Sequence, residues 1–178
     1  MIAGNPFLRY RRLLESYALA RSRGVTDADF VALVERLDAA VAKVDGRGFA
    51  VTPLAPQPEL ASALGGGFEL WVKDETHNVS GSHKGRHLFG LMLDLSVRGL
   101  VGHGSGELAI ASCGNAALAA AVVARAVERP LRVFIPADAN AAVVTRLGTL
   151  GARIEVCERR PGEIGDPCYQ RFREAIDR

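Results

Sequence analysis

The stretch from Leu108 to Cys157, LAIASCGNAALAAAVVARAVERPLRVFIPADANAAVVTRLGTLGARIEVC, decides the fold. A short apolar run, Leu108 to Ser112, has strand length and leads into an alanine-rich segment from about Asn115 to Val127 with helical character. The alternation then repeats: a strand from Leu131 to Ile135, a helix from about Ala139 to Leu150, a strand from Arg153 to Cys157, and a helix from Pro167 to Ile176. Antiparallel neighbours need only a hairpin, whereas a parallel return needs a crossover of helical length. The pattern therefore predicts an α/β fold: an open parallel sheet with helices on both faces and right-handed crossovers.

Upstream of this region the signals are helical. From Pro6 to about Arg21, Tyr10, Leu13, Leu14 and Tyr17 share one side of a helix, and Arg9, Arg11 and Arg12 form a solvated face on it. A second helix is capped by Thr26 or Asp27 and carries Phe30, Leu33, Val34, Leu37, Val41 and Val44 at helical spacing until Gly46 and Gly48 stop it. After the segment Val51 to Leu54, prolines 53, 56 and 58 and the run Gly65-Gly66-Gly67 mark turns around a brief helix at Glu59 to Leu64. Phe68 to Lys73 reads as a strand. Leu88, Leu91, Met92 and Leu95 then align on a helix that starts near His83 or Lys84 and ends near Gly99.

With 178 residues, 48% of them hydrophobic and 24% charged, the chain belongs with folded globular proteins and not with disordered ones. No apolar run approaches the roughly 18 residues that span a bilayer, and Met1 to Arg12 lacks the apolar centre of a signal peptide, so a cytoplasmic location is expected. Cys113, Cys157 and Cys168 form no CxxC pair, which points to reduced thiols without a disulfide framework or zinc site. His77, His83, His87 and His103 share no spacing suited to a metal. A net charge of +2 gives no footprint for nucleic acid. Of the 22 basic residues only Lys43, Lys73 and Lys84 are lysine, so a lysine here marks a place where an amine is wanted as much as a charge.

Lys84 stands at the first turn of its helix, after the polar loop Asp74-Glu75-Thr76-His77-Asn78-Val79-Ser80-Gly81-Ser82-His83. The unpaired N–H groups of a helix start carry partial positive charge and disfavour an ammonium, which leaves the neutral amine more accessible for attack on an aldehyde. Arginine cannot form an imine. Gly81 and Gly85 would leave room for a flat ring beside the backbone. A solvated lysine at a helix start is the other reading of the same residues.

The second constellation is Ala111-Ser112-Cys113-Gly114-Asn115-Ala116-Ala117, where a strand runs straight into a helix. Ligands of parallel sheets sit beyond the carboxyl ends of the strands. There the free N–H groups and the Ser112 hydroxyl can hold a carboxylate, the Asn115 amide can donate to an oxygen on a ring, and Gly114 permits close approach. A helix cap with a packing glycine is the alternative. Gly102-His103-Gly104-Ser105-Gly106 precedes a strand instead of linking strand to helix, so it reads as a loop and not a phosphate cradle.

Ser82-His83-Lys84 after a polar Gly-Ser loop, followed about thirty residues on by Ser112-Cys113-Gly114-Asn115, resembles the tryptophan synthase beta family of fold type II pyridoxal-phosphate enzymes. That family includes threonine synthase, cysteine synthase and the serine and threonine ammonia-lyases. The resemblance extends to Val51-Thr52-Pro53-Leu54, to Glu69 through Glu75, to Phe134-Ile135-Pro136 and to Leu147-Gly148-Thr149-Leu150-Gly151-Ala152; the amino-terminal helices look most like those of threonine synthase relatives. It implies pyridoxal 5'-phosphate as cofactor, held by Lys84 as a Schiff base and by Asn115 at its phenolic oxygen, with Ser112, Cys113, Gly114 and Ala116 around the substrate carboxylate. It implies elimination or replacement at the β- or γ-carbon of an amino acid, and a homodimer in the full-length form.

Two departures from the family stand out. Cys113 replaces a residue that is often serine, threonine or alanine. The glycine-rich phosphate cup and the partner of the pyridine nitrogen would lie in a later domain, beyond Arg178, so this chain corresponds to an amino-terminal portion. Residues 1–80 would then belong to the larger cofactor domain, residues 81–178 would form a small α/β domain, and the portion alone is expected to be inactive and to expose apolar surface. A nucleotide-binding Rossmann-like domain fits the alternation less well, because no GxGxxG follows the first strand. A noncatalytic module of the same fold is the remaining alternative.

Overall fold

The computed structural model describes residues 4–101 and 106–177. The Gly102 to Gly106 loop expected from the sequence thus lies, except for Gly106, outside the described residues. Strands β3 (Leu108–Ala111), β4 (Leu131–Pro136) and β5 (Arg153–Cys157) form a sheet in that order, with both pairings parallel and Leu108 opposite Leu131 and Arg132 opposite Arg153. Helix α5 (Lys84–Val97) precedes β3, α6 (Asn115–Ala126) and α7 (Ala141–Thr149) connect the strands, and α8 (Pro167–Ile176) follows them. Ahead of these stand α1 (Pro6–Arg9), α2 (Glu15–Ser22), α3 (Asp27–Asp45), β1 (Leu54–Pro56), α4 (Pro58–Ala63) and β2 (Trp71–Lys73), with β1 and β2 paired antiparallel.

The period of two along each strand divides the side chains between two faces. Leu131, Val133 and Ile135 of β4 enter the core shared with α3, α5, α6 and α7, while Phe134 turns to the opposite face against Cys157, Cys168 and Phe172. Helices therefore cover both faces, as the alternation predicts. Helix α6 is the centre of the arrangement and touches α3, α5, α7, β3 and β4. Its Ala117, Ala119, Ala120, Ala121 and Ala124 are buried, and such small side chains let neighbouring helices approach closely.

Helix α3 follows its sequence signals residue by residue. The Thr26 side chain accepts from the Asp29 N–H while Asp29 reaches back to the Thr26 N–H, forming a capping box. Gly46, at φ +82°, closes the other end in the left-handed region. Phe30, Val34, Leu37 and Val41 are buried.

The amino-terminal segment differs from the single amphipathic helix predicted over Pro6 to Arg21. It breaks into α1, a 3-10 turn at Arg11–Leu13 and α2, because Leu14 takes an extended conformation between the last two. The break moves the buried face to Phe7, Leu8, Ser16 and Ala20, and leaves Tyr10 and Leu13 exposed. Arg11 is not part of a solvated face either: its guanidinium pairs with Asp27 through hydrogen bonds of 2.7 and 2.9 Å. The strand expected from Phe68 shortens to Trp71–Lys73, since Gly65, Gly66 and Gly67 all take positive φ and the pairing with β1 starts only at Trp71. Helix α7 begins at Ala141 and not Ala139, because the Asn140 side chain accepts from the N–H groups of Ala142 and Val143.

Candidate functional site

Lys84 is the first residue of α5, half-buried, and its backbone N–H donates to the Ser82 hydroxyl at 3.3 Å. Two connections hold the helix start in place. Phe89, one turn in, is fully buried and meets the rings of Phe7 and Phe49 at centroid distances of 4.7 and 4.6 Å. Arg86 donates to Glu75 at 2.9 Å, to the Ala50 carbonyl at 3.0 Å and to the Thr52 hydroxyl at 3.2 Å. The Thr52 hydroxyl in turn donates to Glu75 at 2.5 Å, and the Lys73 ammonium donates to the Thr52 carbonyl.

Thr52, Glu75 and Arg86 thus knit together the Val51–Leu54 segment, the end of β2 and the lysine helix. Burial pushes the Glu75 carboxyl up, but the Arg86 guanidinium and the Thr52 hydroxyl outweigh it and hold the group below its ordinary value. Sequence reasoning gave these three residues no role. The signal was their shared presence in segments already singled out.

The loop before Lys84 is tightly folded. Ser80 sits at φ +59°, its N–H donating to Asp45 at 3.0 Å, and the Asn78 amide donates to the Ser82 carbonyl at 2.8 Å. Among the described residues the Asn78 Oδ1 and Ser80 Oγ atoms are buried without a hydrogen-bond partner. The glycines of the loop serve the chain itself, contrary to the expectation that both make room for a ring. A Cβ on Gly85 would lie 2.5 Å from the Val79 carbonyl oxygen, so Gly85 exists to let the loop fold back on the helix. Gly81 is required for its φ of +71°.

The asparagine loop leaves the tip of β3. The Ser112 N–H donates to the Phe134 carbonyl at 3.2 Å, continuing the strand pairing for one residue. Gly114 caps α6 with no side-chain hydrogen bond, in contrast to α3, α7 and α8, whose starts are closed by Thr26, Asn140 and Asp166. The first N–H groups of α6 are thus left for another acceptor. Asn115 and Cys113 are exposed, Ser112 and Ala116 are half-buried, and a Cβ on Gly114 would meet nothing within 4 Å.

Ser112 and Cys113 line a cleft of about 140 Å³ at the tips of β3, β4 and β5 together with Phe134, Cys157 and Cys168. Lys84 and Asn115 do not line that cleft. They are carried on adjacent helices, since α5 packs along α6 and the turn Val79–Gly81 ahead of Lys84 also touches α6. Among the described residues nothing pairs with the Lys84 amine or the Asn115 amide. A half-buried primary amine without a partner among the described residues and a helix start with no side-chain cap are each donors of the kind that suits a flat, anionic carbonyl compound.

A parallel α/β protein that presents a lysine at the head of one helix and a strand-to-helix asparagine loop at the head of the next is the class defined by this fold and site. The family model described as "Pyridoxal-phosphate dependent enzyme" matches residues 47–176, and the chain belongs to that family. It is 30% identical over 97 residues to a cysteine synthase of Aquifex aeolicus (strain VF5), covering 54% of this chain and 29% of that one. Among solved structures it is similar to a pyridoxal 5'-phosphate-dependent aspartate racemase (TM-score 0.61, 19% identity, 81% of this chain and 42% of that one). A serine racemase from Dictyostelium discoideum aligns with TM-score 0.57 at 19% identity, over 81% of this chain and 43% of that chain. At such identity the structural likeness speaks to the fold, and the chain spans about two-fifths of the length of these solved relatives.

Proposed function

We propose that this chain is the Lys84-bearing portion of a pyridoxal-phosphate-dependent lyase or synthase that eliminates or replaces a group at the β- or γ-carbon of an amino acid. The observation that carries the reading is the Lys84 amine itself: half-buried, first in α5, unpaired among the described residues, and carried on a helix that packs along α6. When bound, the cofactor supplies the electron sink that makes a bond at the substrate Cα breakable.

The residues of this chain fill the surrounding roles. Lys84 holds the cofactor through its amine and, once released, moves a proton at the substrate Cα. The Asn115 amide donates to the cofactor's phenolic oxygen. Backbone N–H groups of Cys113, Gly114 and Ala116, with the Ser112 hydroxyl, hold the substrate carboxylate at the positive end of α6. The open space at Gly114 is what a ligand lying against this turn requires. The Thr52–Glu75–Arg86 network fixes the lysine helix against the preceding strand. In the full-length protein residues 1–80 complete a larger cofactor domain, and that protein is a cytoplasmic homodimer of the threonine synthase and ammonia-lyase kind.

The test is a titration of the chain with pyridoxal phosphate, followed at the edge of the visible spectrum, with borohydride trapping and peptide mapping of the modified residue. Wild type should develop the band and carry the trapped cofactor on Lys84, and Lys84→Ala should do neither. Identical spectra from the two proteins, or trapping on Lys43 or Lys73, would refute the assignment and leave a noncatalytic module as the better account.

A further inference from the structure

All three cysteines of the chain converge on one place, although nothing in their sequence spacing suggests it. Cys157 ends β5, Cys168 lies in the first turn of α8, and both are 5% exposed. They pack against Phe134 on the face of the sheet opposite the main core. The two therefore share one small cluster, and the cleft beside it reaches Cys113. The 140 Å³ cleft at the strand tips is lined by all three, along with Ser112 and Asp166, and Cys113 is the exposed one of the three cysteines.

We propose that this cleft is a thiol oxidation site, at which a hydroperoxide is reduced at Cys113 and the oxidation ends as a disulfide between Cys157 and Cys168. The Cys113 sulfur attacks the outer oxygen of the hydroperoxide, breaking the O–O bond; the alcohol leaves and Cys113 becomes a sulfenic acid. The Cys168 sulfur then attacks the Cys113 sulfur, forming an S–S bond and expelling hydroxide, which leaves as water with the Cys168 proton. Finally Cys157 attacks Cys168, and Cys113 departs as a thiol carrying the Cys157 proton. Two thiols have lost two electrons and two protons, and the hydroperoxide has become alcohol and water.

The division of labour follows from burial. Both buried thiols are closed off from solution, and withdrawal from water raises them, Cys168 to about 12, so an arriving oxidant meets Cys113 first; Cys168 gives up its proton only to the hydroxide expelled as the S–S bond forms. Cys113 stands where the solvent is. A pair that only filled space would need no exposed thiol on the same cleft. The inference rests on the cysteine geometry and is independent of the cofactor assignment.

The experiment treats the folded 178-residue chain with cumene hydroperoxide and maps the products by mass spectrometry, with dimedone to trap sulfenic acid. Wild type should lose two hydrogen atoms per chain and yield a Cys157–Cys168 linked peptide pair. Cys113→Ser should slow this at least about tenfold. Cys168→Ala should stop at a dimedone-trapped Cys113, and Cys157→Ala should stop at a Cys113–Cys168 disulfide, so no single variant has to carry the test. Over-oxidation of Cys113 with Cys157 and Cys168 still reduced, linkage only between different chains, or an unchanged rate in Cys113→Ser would each overturn the proposal.

Discussion

Gly85→Ala separates two physical accounts of the lysine loop. If Gly85 exists to clear a bound ring, the substitution is harmless until a ligand arrives. If it exists for the fold-back of the loop, it destabilises the bare chain. A Cβ there would lie 2.5 Å from the Val79 carbonyl oxygen and 3.3 Å from the Val79 Cβ, and the first of these is backbone, which cannot swing aside. Overpacking of a well-filled site costs about 1–3 kcal/mol, and the helix gains at most about 1 kcal/mol from replacing glycine by alanine. With backbone as the obstacle the upper end of that range applies, so a net loss of about 2 kcal/mol remains, equivalent to a Tm lowered by roughly 4–8 °C for a chain of this size. Gly114→Ala is the control: its Cβ meets nothing within 4 Å, so stability should stay within about 0.5 kcal/mol, while pyridoxal-phosphate uptake weakens. Thermal and urea unfolding of the ligand-free proteins decide it. A Gly85→Ala chain as stable as wild type would refute the packing argument.

Two further outcomes follow from packing and charge. Arg11, through its hydrogen bonds, and then Tyr17, at 2.8 Å, hold the Asp27 carboxyl at about 2 against an ordinary 3.8. A value depressed in the folded state means that the stabilisation is complete above 3.8 and is lost as pH falls through about 2. Urea midpoints measured across that window should fall further in wild type than in Asp27→Asn, and equal slopes would show that the pair contributes nothing. Phe89→Ala removes the ring that meets Phe7 and Phe49 and should cost about 3–5 kcal/mol, read from the urea midpoint at neutral pH, with the lysine helix the first element to lose amide-exchange protection.

The part of the fold from Leu108 onward was legible because local and distant forces agree there. β5 and α8 begin and end where the sequence pattern places them, since Asp166 caps one end of α8 and the strand carries its own alternation. The amino-terminal helix was not legible because its break is a tertiary matter. Arg11 is drawn to Asp27, which lies in another helix, and no window of neighbouring residues reveals that pull. In the same way the turns ahead of α5 and α6 could be found from residue types, but the reason for Gly85 lies in a carbonyl that only the folded loop brings near. The cysteine cluster needed the parallel strand order, which sets the tips of β3 and β5 on either side of Phe134.

Helix α6 acts as a gauge block for the whole site. Five of its seven buried side chains are methyl groups with no rotamer to change, so its neighbours can stand close to its backbone. Enlarging any one of those alanines would displace the sheet or the lysine helix and move the two loops apart. Substitution could therefore reshape the loops freely, but any drift in their separation would have to pass through a residue that has nowhere to grow.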